Sequence, residues 1–406
     1  MRLVVSECLL GSPCRYDGSA KTCDEVCALV KRVLDTGGEV VTVCPESAGG
    51  LRAPRLPAER RGDKVYSLDG TDVTSSFVLG AQRSLSCAMA ADEVPFAVLK
   101  SKSPSCGVGL VYDGTHTKTL VAGNGVFAQL LEERGIPMAT ENVVRACTPS
   151  VEHPVAVVLG SGLGHLAGLV KPVRRIPYSE IPGFPASARP VAGHSFEATV
   201  GTIDTVPVVV YPGRVHLYQG YSALEVTSLV RHARRLGCRT ILFACATGAV
   251  PQAAPKGLGV IADHINLTGC NPLVGWSDAE PELSLIDTGF VDMNDVYTPY
   301  LRGIAHGVAN DLGLSLSEGV LAGVLGPSSE TQAEVQALKT LGVSYVGMST
   351  VLETIMAHAL GMQVLGLTLA TNYAGEVGVS HESVLCAAAN HAEEFESLVR
   401  GILTML

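Results

Sequence analysis

The sequence is poor in charged and aromatic residues. Of its 406 residues, 17% are charged, 5% are aromatic and one is tryptophan, whereas 47% are hydrophobic. This composition excludes a disordered chain, and the length suits two domains. Basic residues are scarcer than acidic ones, because the sequence has 29 Lys and Arg and 39 Asp and Glu, which gives a formal net charge of -10. A net-acidic surface disfavours nucleic acid and anionic membranes as partners.

The sequence also lacks the apolar segments that membranes and secretion require. No apolar run is long enough to span a bilayer. The first residues, Met1 to Val5, lead directly into Ser6-Glu7-Cys8, so a charge and a cysteine interrupt any signal-peptide core. We therefore expect a cytoplasmic protein.

Cysteine is present in quantity but is unevenly distributed. Eight of the 12 cysteines precede residue 150, namely Cys8, Cys14, Cys23, Cys27, Cys44, Cys87, Cys106 and Cys147. In a cytoplasmic protein such a cluster indicates metal or redox chemistry more than disulfides. The alternative is that most of these cysteines are small buried apolar residues.

The pattern along the chain predicts two α/β domains. Short apolar strands alternate with amphipathic helices in both halves, which is typical of parallel sheets. Pro149 and Pro154 frame a short polar stretch that predicts a linker over 149–153, so we expect a first domain over 1–148 and a second over 154–406. For the second domain we expect a mixed central sheet flanked by helices.

Two turns of the second half carry groups that bind anions. Strand Val155–Leu159 runs into Gly160-Ser161-Gly162, where backbone N–H groups and a hydroxyl can approach an anion, although such turns alone are common. Strand Val208–Tyr211 is followed by Arg214 and His216, and a guanidinium binds phosphate bidentately. The alternative for Arg214 is a surface ion pair. Because α/β sheets bind ligands at strand carboxyl ends, the two turns together predict a phosphate site.

At these motifs the second half resembles the trimeric purine nucleoside phosphorylases. Seven segments match that family in order: GSGLG at 160–164, AGHS at 192–195, GRVHLYQGY at 213–221, DHINLTG at 263–269, GPSSET at 326–331, VGMST at 346–350 and LATN at 369–372. The resemblance implies the nucleoside-phosphorylase fold, phosphorolysis of purine nucleosides with inorganic phosphate as co-substrate, and a homotrimer.

The resemblance also implies a role for individual residues. The implied phosphate ligands are Ser161, Arg214, His216, Ser349 and the backbone of Ala246. Tyr218 and Met348 would contact the sugar, and His381 would contact the ribose 5′-hydroxyl. His194 would lie on a loop that closes near phosphate and ribose. Glu330 would bind N1–H of the base and Asn372, beside Thr371, the purine N7. The implied catalytic set is His216, Glu330, Asn372 and His194.

The chemistry suits these residue types. Phosphate stabilises a ribosyl cation and then attacks C1′, while the amide of Asn372 stabilises charge on the departing base. In the family, Asn at this position favours 6-oxopurines over adenine-type nucleosides. Ser329 replaces the aromatic that stacks on the base, Cys245 replaces an Asn, and the segment 267–273 is shortened. The phosphate half of the site is therefore intact and the base half altered.

Three cysteines of the first half follow predicted strands. Cys8 and Cys44 come directly after short apolar strands, and Cys106 follows strand Phe96–Leu99 through a Ser/Pro turn. Thiols at the ends of parallel strands can converge, and three thiolates with an open position suit a four-iron cluster or a catalytic zinc. Spacing alone leaves open whether these cysteines bind metal or are buried structural residues.

This half resembles a bacterial family, domain of unknown function 523, that includes thiouracil desulfidases. The motifs CLLG, CRYDG, CPE and SPSCG carry the resemblance over roughly residues 3–142. It implies a [4Fe-4S] cluster on Cys8, Cys44 and Cys106 that takes sulfur from a thiolated base, with Glu46, Ser103 and Ser105 as candidate polar partners. Cys14 is an extra thiol that packing in the core explains better.

The fusion gives one main hypothesis and two alternatives. In the main hypothesis, one domain releases a base from its nucleoside and the other removes sulfur from thiolated bases. The second hypothesis keeps the phosphorylase and makes the cysteine domain a non-catalytic structural or redox-sensing module. The third is a purine-binding sensor without activity, which the residues Arg214, His216, Glu330 and Asn372 disfavour.

Overall fold

The computed structural model describes residues 1–90, 96–189, 196–276 and 290–406. Contacts divide the chain into two compact units, one of Met1–Thr148 with Met405–Leu406 and one of Pro149–Thr404. Both units combine helices with strands, as the alternating pattern predicts. Within the described ranges, no helix is both long and apolar enough to cross a bilayer.

The first unit is built on a parallel sheet of four strands. The order is β2-β1-β5-β8, and every neighbouring pair is parallel. Two small antiparallel hairpins, β3–β4 and β6–β7, accompany it. The strands are β1 (Arg2–Ser6), β2 (Glu39–Val43), β3 (Ala58–Arg61), β4 (Lys64–Ser67), β5 (Phe96–Leu99), β6 (Leu110–Tyr112), β7 (Leu120–Ala122) and β8 (Met138–Thr140).

Helices cover this sheet because their apolar faces match the apolar strands. The helices are α1 (Asp24–Asp35), α2 (Pro45–Ala48), α3 (Thr74–Ala88), α4 (Val126–Glu132) and α5 (Glu141–Cys147). Strands β1 and β5 are buried along their whole length, as central strands of parallel sheets are. Full burial of each Val or Leu side chain contributes about 1.5–3 kcal/mol. The sequence pattern predicts helices over Glu25–Leu34 and Gly125–Arg134 and a strand over Phe96–Leu99, which α1, α4 and β5 confirm, whereas both hairpins went unpredicted.

The second unit is built on a mixed sheet of nine strands, as expected. The order is β10-β11-β12-β9-β13-β16-β15-β14-β17. The strands are β9 (Val155–Leu159), β10 (Lys171–Pro177), β11 (Glu197–Ile203), β12 (Val206–Tyr211), β13 (Thr240–Ala249), β14 (Gly257–Asn266), β15 (Ser317–Gly323), β16 (Tyr345–Gly347) and β17 (Gln363–Tyr373). Strand β17 pairs with both β14 and β13, so five of the strands close into a ring.

Seven described helices belong to the second unit. They are α6 (Ala223–Val226), α7 (Ser228–Arg235), α8 (Pro299–Asp311), α9 (Gln332–Thr340), α10 (Val351–Ala359), α11 (His381–Asn390) and α12 (Ala392–Met405). Helices α7 and α10 bury apolar side chains against the sheet, in one core with Ile241 and Phe243 of β13.

The amphipathic pattern of the sequence predicts one helix over 224–236 and one long helix from Ser383, and each of them is divided in the structure. The helix expected over 224–236 is interrupted at Thr227, whose hydroxyl donates to the carbonyls of Ala223 and Leu224. Such back-bonding by a β-branched hydroxyl residue competes with the regular helical ladder. The single long helix expected from Ser383 is wrong, because α11 ends at Asn390 and α12 begins at Ala392.

Candidate functional site

Two parallel neighbouring strands deliver the first anion-binding groups. Strand β9 ends at Leu159 and is followed by Ser161, and its neighbour β12 ends at Tyr211 and is followed by Arg214. The intervening Gly160 is tightly enclosed, because an added Cβ would lie 2.9 Å from the Ala244 carbonyl oxygen and 3.4 Å from Nη2 of Arg214. The two predicted turns therefore meet at one edge of the sheet.

Arg214 is buried, with 1% of its surface exposed. Its Nη1 donates to Oε2 of Glu353 at 2.9 Å and to the Thr350 hydroxyl at 3.3 Å. Its Nη2 donates to the Ala244 carbonyl at 2.7 Å. The alternative of a surface ion pair is therefore wrong for Arg214. A guanidinium taken out of water requires a paired, hydrogen-bonded environment, and this one is built from three segments distant in sequence.

Ser349 precedes the most strained residue of this region. Thr350 has φ +74°, a conformation that β-branched residues rarely adopt. Its N–H donates to Oε2 of Glu353 at 2.6 Å, and its hydroxyl lies 3.4 Å from that of Ser349. Backbone strain of this kind is retained where surrounding structure imposes it, often at a functional site.

His216 and Tyr218 lie in the turn that follows Arg214. The two rings are stacked, with centroids 4.9 Å apart and an interplanar angle of 19°. The turn is fixed on both sides, because the His216 N–H donates to the Gln219 side chain at 2.9 Å and the Tyr178 hydroxyl donates to the Gly213 carbonyl at 2.8 Å. Burial raises the pKa of the Tyr218 hydroxyl, so this group is a neutral hydrogen-bond donor and acceptor.

A β-bulge places Asn372. In the pairing of β13 with β17, Thr247 opposes Ala370 and Gly248 opposes Asn372, so Thr371 has no opposite residue. Bulges commonly re-aim a side chain beside an active site. The Thr371 hydroxyl donates to Oδ1 of Asn372 at 3.0 Å, which orients the amide.

A cavity of about 160 Å³ adjoins the Asn372 amide. It is lined by Thr371, Asn372, Glu376, Val377, Gly378, Val379, Ser383 and Val384. Four of the eight lining residues have polar side chains, so this cavity offers mainly hydrogen-bonding groups to a ligand.

Glu330 lies two residues before helix α9 and is half-buried. Burial, reinforced by the nearby Glu334, raises the pKa of its carboxyl. Gln332 donates to the Gly375 carbonyl at 2.8 Å, which ties the Glu330 segment to the segment that follows Asn372. Ser329, in the place of an aromatic residue, is exposed.

Of the remaining predicted residues, Met348 and Ala246 have described contacts, whereas two histidines do not. Met348 packs its sulfur against Gly326, whose φ of +70° and missing side chain allow this approach. Ala246 lies on β13, and its carbonyl oxygen is 3.9 Å from the position that a Cβ added to Gly347 would occupy. His194 and its AGHS loop, like the side chain of His381, lie outside the described residues. Glu353 is the residue that sequence reasoning missed, since nothing local links it to Arg214, 139 positions away.

In the first unit, the three predicted thiols follow adjacent parallel strands. Cys8 follows β1, Cys44 follows β2 and Cys106 follows β5, in the order β2-β1-β5. The unexpected member is Cys14, whose carbonyl accepts from the Cys44 thiol at 3.9 Å and whose own thiol lies close enough to Cys44 and Cys8 to shift its pKa. The Cys44 and Cys14 thiols also lie close enough to Cys106 to affect its ionisation. Packing in the core is therefore the wrong explanation for Cys14, which is half-exposed and joins the thiol group.

The thiols of Cys14, Cys44 and Cys106 are held in their neutral form. The hydrogen bond with Cys44 lowers the pKa of Cys14, but that with Cys8 and burial outweigh it and raise the value to about 11. Donation to Cys14 and then burial raise the pKa of Cys44, and burial raises that of Cys106. Because thiolates are the metal-binding form, any metal bound here must displace protons.

The donor set resembles that of a cluster more than that of a single ion. Across the four described ranges, no three His, Cys, Asp or Glu side chains converge tightly enough to hold one metal ion. A four-iron cluster needs less convergence, because its cysteine ligands are distributed over separate irons, and cysteine thiolates are its usual ligands. Cys8, Cys44 and Cys106 therefore carry the ligand chemistry that such a cluster would use.

The predicted polar partners of the thiols have distinct environments. Glu46 is paired with Arg55, whose Nε lies 3.0 Å from Oε2 and whose Nη2 also donates to the Cys14 carbonyl at 3.2 Å. The Ser103 hydroxyl accepts the N–H groups of Ser105 and Cys106 at 3.1 Å each, so it shapes the turn.

Ser105 differs from these two residues. It is fully buried, and its hydroxyl has no hydrogen-bond partner in the described part of the chain. Since a buried hydroxyl without a partner costs free energy, Ser105 is available to a bound group.

Known proteins match both units. Residues 154–404 match the model of the phosphorylase superfamily, and residues 3–143 match that of 2-thiouracil desulfurase. Purine nucleoside phosphorylase 1 of Geobacillus stearothermophilus is 39% identical over 253 residues, which cover 61% of this chain and 90% of that protein. Purine nucleoside phosphorylase of Mycobacterium tuberculosis is 41% identical over 258 residues, which cover 62% of this chain and 89% of that protein.

A solved structure agrees with these sequence matches. Schistosoma mansoni purine nucleoside phosphorylase in complex with adenosine superposes with a TM-score of 0.56 at 33% identity, covering 65% of this chain and 94% of that one. The fold, the ordered motifs and the buried arginine turn thus agree with the comparisons. The chain belongs to the phosphorylase superfamily, among the purine nucleoside phosphorylases, and carries a 2-thiouracil desulfurase domain at its N-terminal end.

Proposed function

We propose that the second domain binds inorganic phosphate and uses it to cleave the glycosidic bond of purine nucleosides. The observation that carries this proposal is the buried Arg214, held beside the Gly160 turn and the Ser349–Thr350 turn. The proposed phosphate ligands are Ser161, Arg214, His216, Ser349 and the backbone of Ala246. Phosphate bound there stabilises positive charge on the ribosyl group and attacks C1′ as the base departs.

The sugar and base contacts complete the proposed site. Tyr218 and Met348 contact the ribose, with His194 on the closing loop and His381 at the 5′-hydroxyl. Glu330 accepts N1–H, and Asn372, oriented by Thr371, hydrogen-bonds N7 and stabilises charge on the leaving base. We propose 6-oxopurines and their thio analogues as the bases, since a carboxylate recognises N1–H and the amide at 372 suits N7.

Phosphate-dependent release of hypoxanthine from inosine tests this function. We expect activity in the wild type and a fall in kcat/KM of at least about 100-fold in Arg214→Gln, because the Arg214 guanidinium is the charged group that donates hydrogen bonds to the phosphate. The matched control is Arg302→Gln, which breaks an ion pair with Glu318 outside the site. Absence of phosphate-dependent base release from inosine, guanosine, adenosine and thio-nucleosides alike would overturn the proposal.

A second activity is favoured by the thiol group of the first domain. We propose that Cys8, Cys44 and Cys106 hold a [4Fe-4S] cluster, which supplies an open iron site for the sulfur of a thiolated base. Glu46, Ser103 and Ser105 are the proposed polar partners, with the unpartnered Ser105 hydroxyl best placed to donate to a bound group. Arg55 pairs with the Glu46 carboxylate and holds it beside the thiols.

Anaerobic purification tests the cluster separately from the chemistry. We expect a brown protein with cluster absorbance that releases sulfide from thiouracil or a thiopurine. A colourless, iron-free protein would support the structural or redox-sensing alternative. An iron-loaded protein that leaves both bases unchanged would refute desulfurisation while preserving the cluster.

Assembly, partners and location complete the proposal. We propose a homotrimer in the cytoplasm that acts on small nucleosides and phosphate, without nucleic acid or membrane partners. None of the 12 cysteines, all of which lie in the described ranges, forms a disulfide, which suits a reducing compartment. We retain 149–153 as the linker between the domain over 1–148 and that over 154–406.

A further inference from the structure

One buried carboxylate connects two parts of the proposed phosphate site. Glu353 has 0% of its surface exposed, and it lies on helix α10, one turn after Ser349. Its Oε2 accepts from Nη1 of Arg214 at 2.9 Å and from the N–H of Thr350 at 2.6 Å. A single oxygen therefore fixes the guanidinium that follows β12 and the turn that follows β16.

The contact with Arg214 sets the direction of the guanidinium. The Glu353 carboxylate and the Thr350 hydroxyl both accept from Nη1, while the Ala244 carbonyl accepts from Nη2 at 2.7 Å. An arginine side chain loses much rotamer freedom when it is clamped in this way. Because the loss occurs during folding, it need not be repeated when phosphate binds.

The contact with Thr350 sets the conformation of the neighbouring turn. A threonine at φ +74° is strained, and the Glu353 carboxylate accepts the N–H of that same residue. Thr350 directly follows Ser349, so its conformation decides where the Ser349 hydroxyl and backbone point. Loss of the carboxylate would release both the turn and the guanidinium.

We infer that Glu353 is a positioning residue for phosphate, which holds Arg214 and the Ser349–Thr350 turn in their anion-binding arrangement without touching the substrate. This inference rests on the proposed phosphorolysis. It also predicts the direction in which phosphate affinity changes when the Glu353 charge is removed. The Glu353 charge by itself weakens attraction of phosphate to Arg214, so a purely electrostatic role predicts tighter phosphate binding when the charge is removed. Positioning predicts weaker binding.

The test is Glu353→Gln, which keeps the side-chain shape and removes the charge. We expect the KM for phosphate to rise about 10- to 100-fold, the loss typical of a hydrogen bond to a charged group, while the KM for inosine changes less than about threefold. Glu353→Asp, which keeps the charge and shortens the reach, should show an intermediate rise. Glu318→Gln, which breaks the Arg302 ion pair outside the site, should leave both constants unchanged.

A binding measurement keeps the test informative if catalysis is weak. Phosphate should raise the Tm of the wild type and of Glu318→Gln, and should raise that of Glu353→Gln much less at the same concentration. An unchanged or lowered phosphate KM in folded Glu353→Gln, with a wild-type Tm response to phosphate, would overturn the inference. A wild type without phosphorolysis would instead count against the proposed function.

Discussion

Gly160 offers a direct steric test of how the phosphate turn is packed. It joins β9 to Ser161, and an added Cβ would lie 2.9 Å from the Ala244 carbonyl oxygen and 3.1 Å from the Cys245 Cα. Both neighbours are backbone atoms of a central strand, so they cannot rotate away. Gly160→Ala must therefore displace the turn itself.

The expected magnitude follows from that displacement. Overpacking of this kind costs about 1–3 kcal/mol, which for a domain of this size lowers Tm by about 2–10 °C. A turn that moves relative to Arg214 also misplaces Ser161, and we expect the phosphate KM to rise by about 10-fold or more. Thermal unfolding and phosphorolysis at varied phosphate concentration measure the two effects.

Gly168→Ala is the matched control. Gly168 lies in the same unit, and an added Cβ would meet no atom within 4 Å. We expect its Tm within about 1–2 °C of the wild type and an unchanged phosphate KM. Equal behaviour of the two variants would refute the packing argument, and a lowered Tm with a normal phosphate KM in Gly160→Ala would refute the role of Ser161.

Three further predictions concern the base and the thiols. Burial raises the pKa of the Glu330 carboxyl above the usual glutamate value of about 4.3. As the pH falls, protonation of Glu330 should therefore reduce kcat/KM for inosine at a higher pH than an exposed glutamate would. Glu330→Gln should abolish this acidic limb of the pH profile. Asn372→Asp should raise kcat/KM for adenosine relative to inosine by about 10-fold or more, measured with both nucleosides, because a carboxylate accepts from the 6-amino group of adenosine and repels the 6-oxygen of inosine. Iron content after anaerobic purification should fall to background in Cys44→Ala but persist in Cys14→Ala and in the control Cys27→Ala, and loss of iron in Cys14→Ala would indicate a fourth thiol ligand.

The sequence predicted the parts of the fold whose signal is local. The apolar runs of β1, β5 and β9 specified buried parallel strands, and the polar residues that follow them were expected at one sheet edge. Family motifs then indicated Arg214 and Asn372. The strand predictions were confirmed because strand burial depends on neighbours in sequence.

The remaining features depend on contacts between distant segments. The bulge at Thr371 exists only in the pairing of β17 with β13, and the partner of Arg214 lies 139 residues away at Glu353. Cys14 was assigned to the core because its spacing carries no signal, whereas its loop returns to the thiols of Cys8 and Cys44. Long-range pairing of this kind leaves no periodic trace in a single sequence.

Under the two proposed activities, the product of one domain belongs to the substrate class of the other. Phosphorolysis of a thiolated nucleoside releases a free thiolated base, and 2-thiouracil, named in the family that matches residues 3–143, is itself a free base. Sulfide release from 6-thioinosine should therefore require phosphate and an intact Arg214, whereas release from free 6-mercaptopurine should require neither. Equal sulfide release from the nucleoside with and without phosphate would refute this order, because desulfurisation would then act before the glycosidic bond is cleaved.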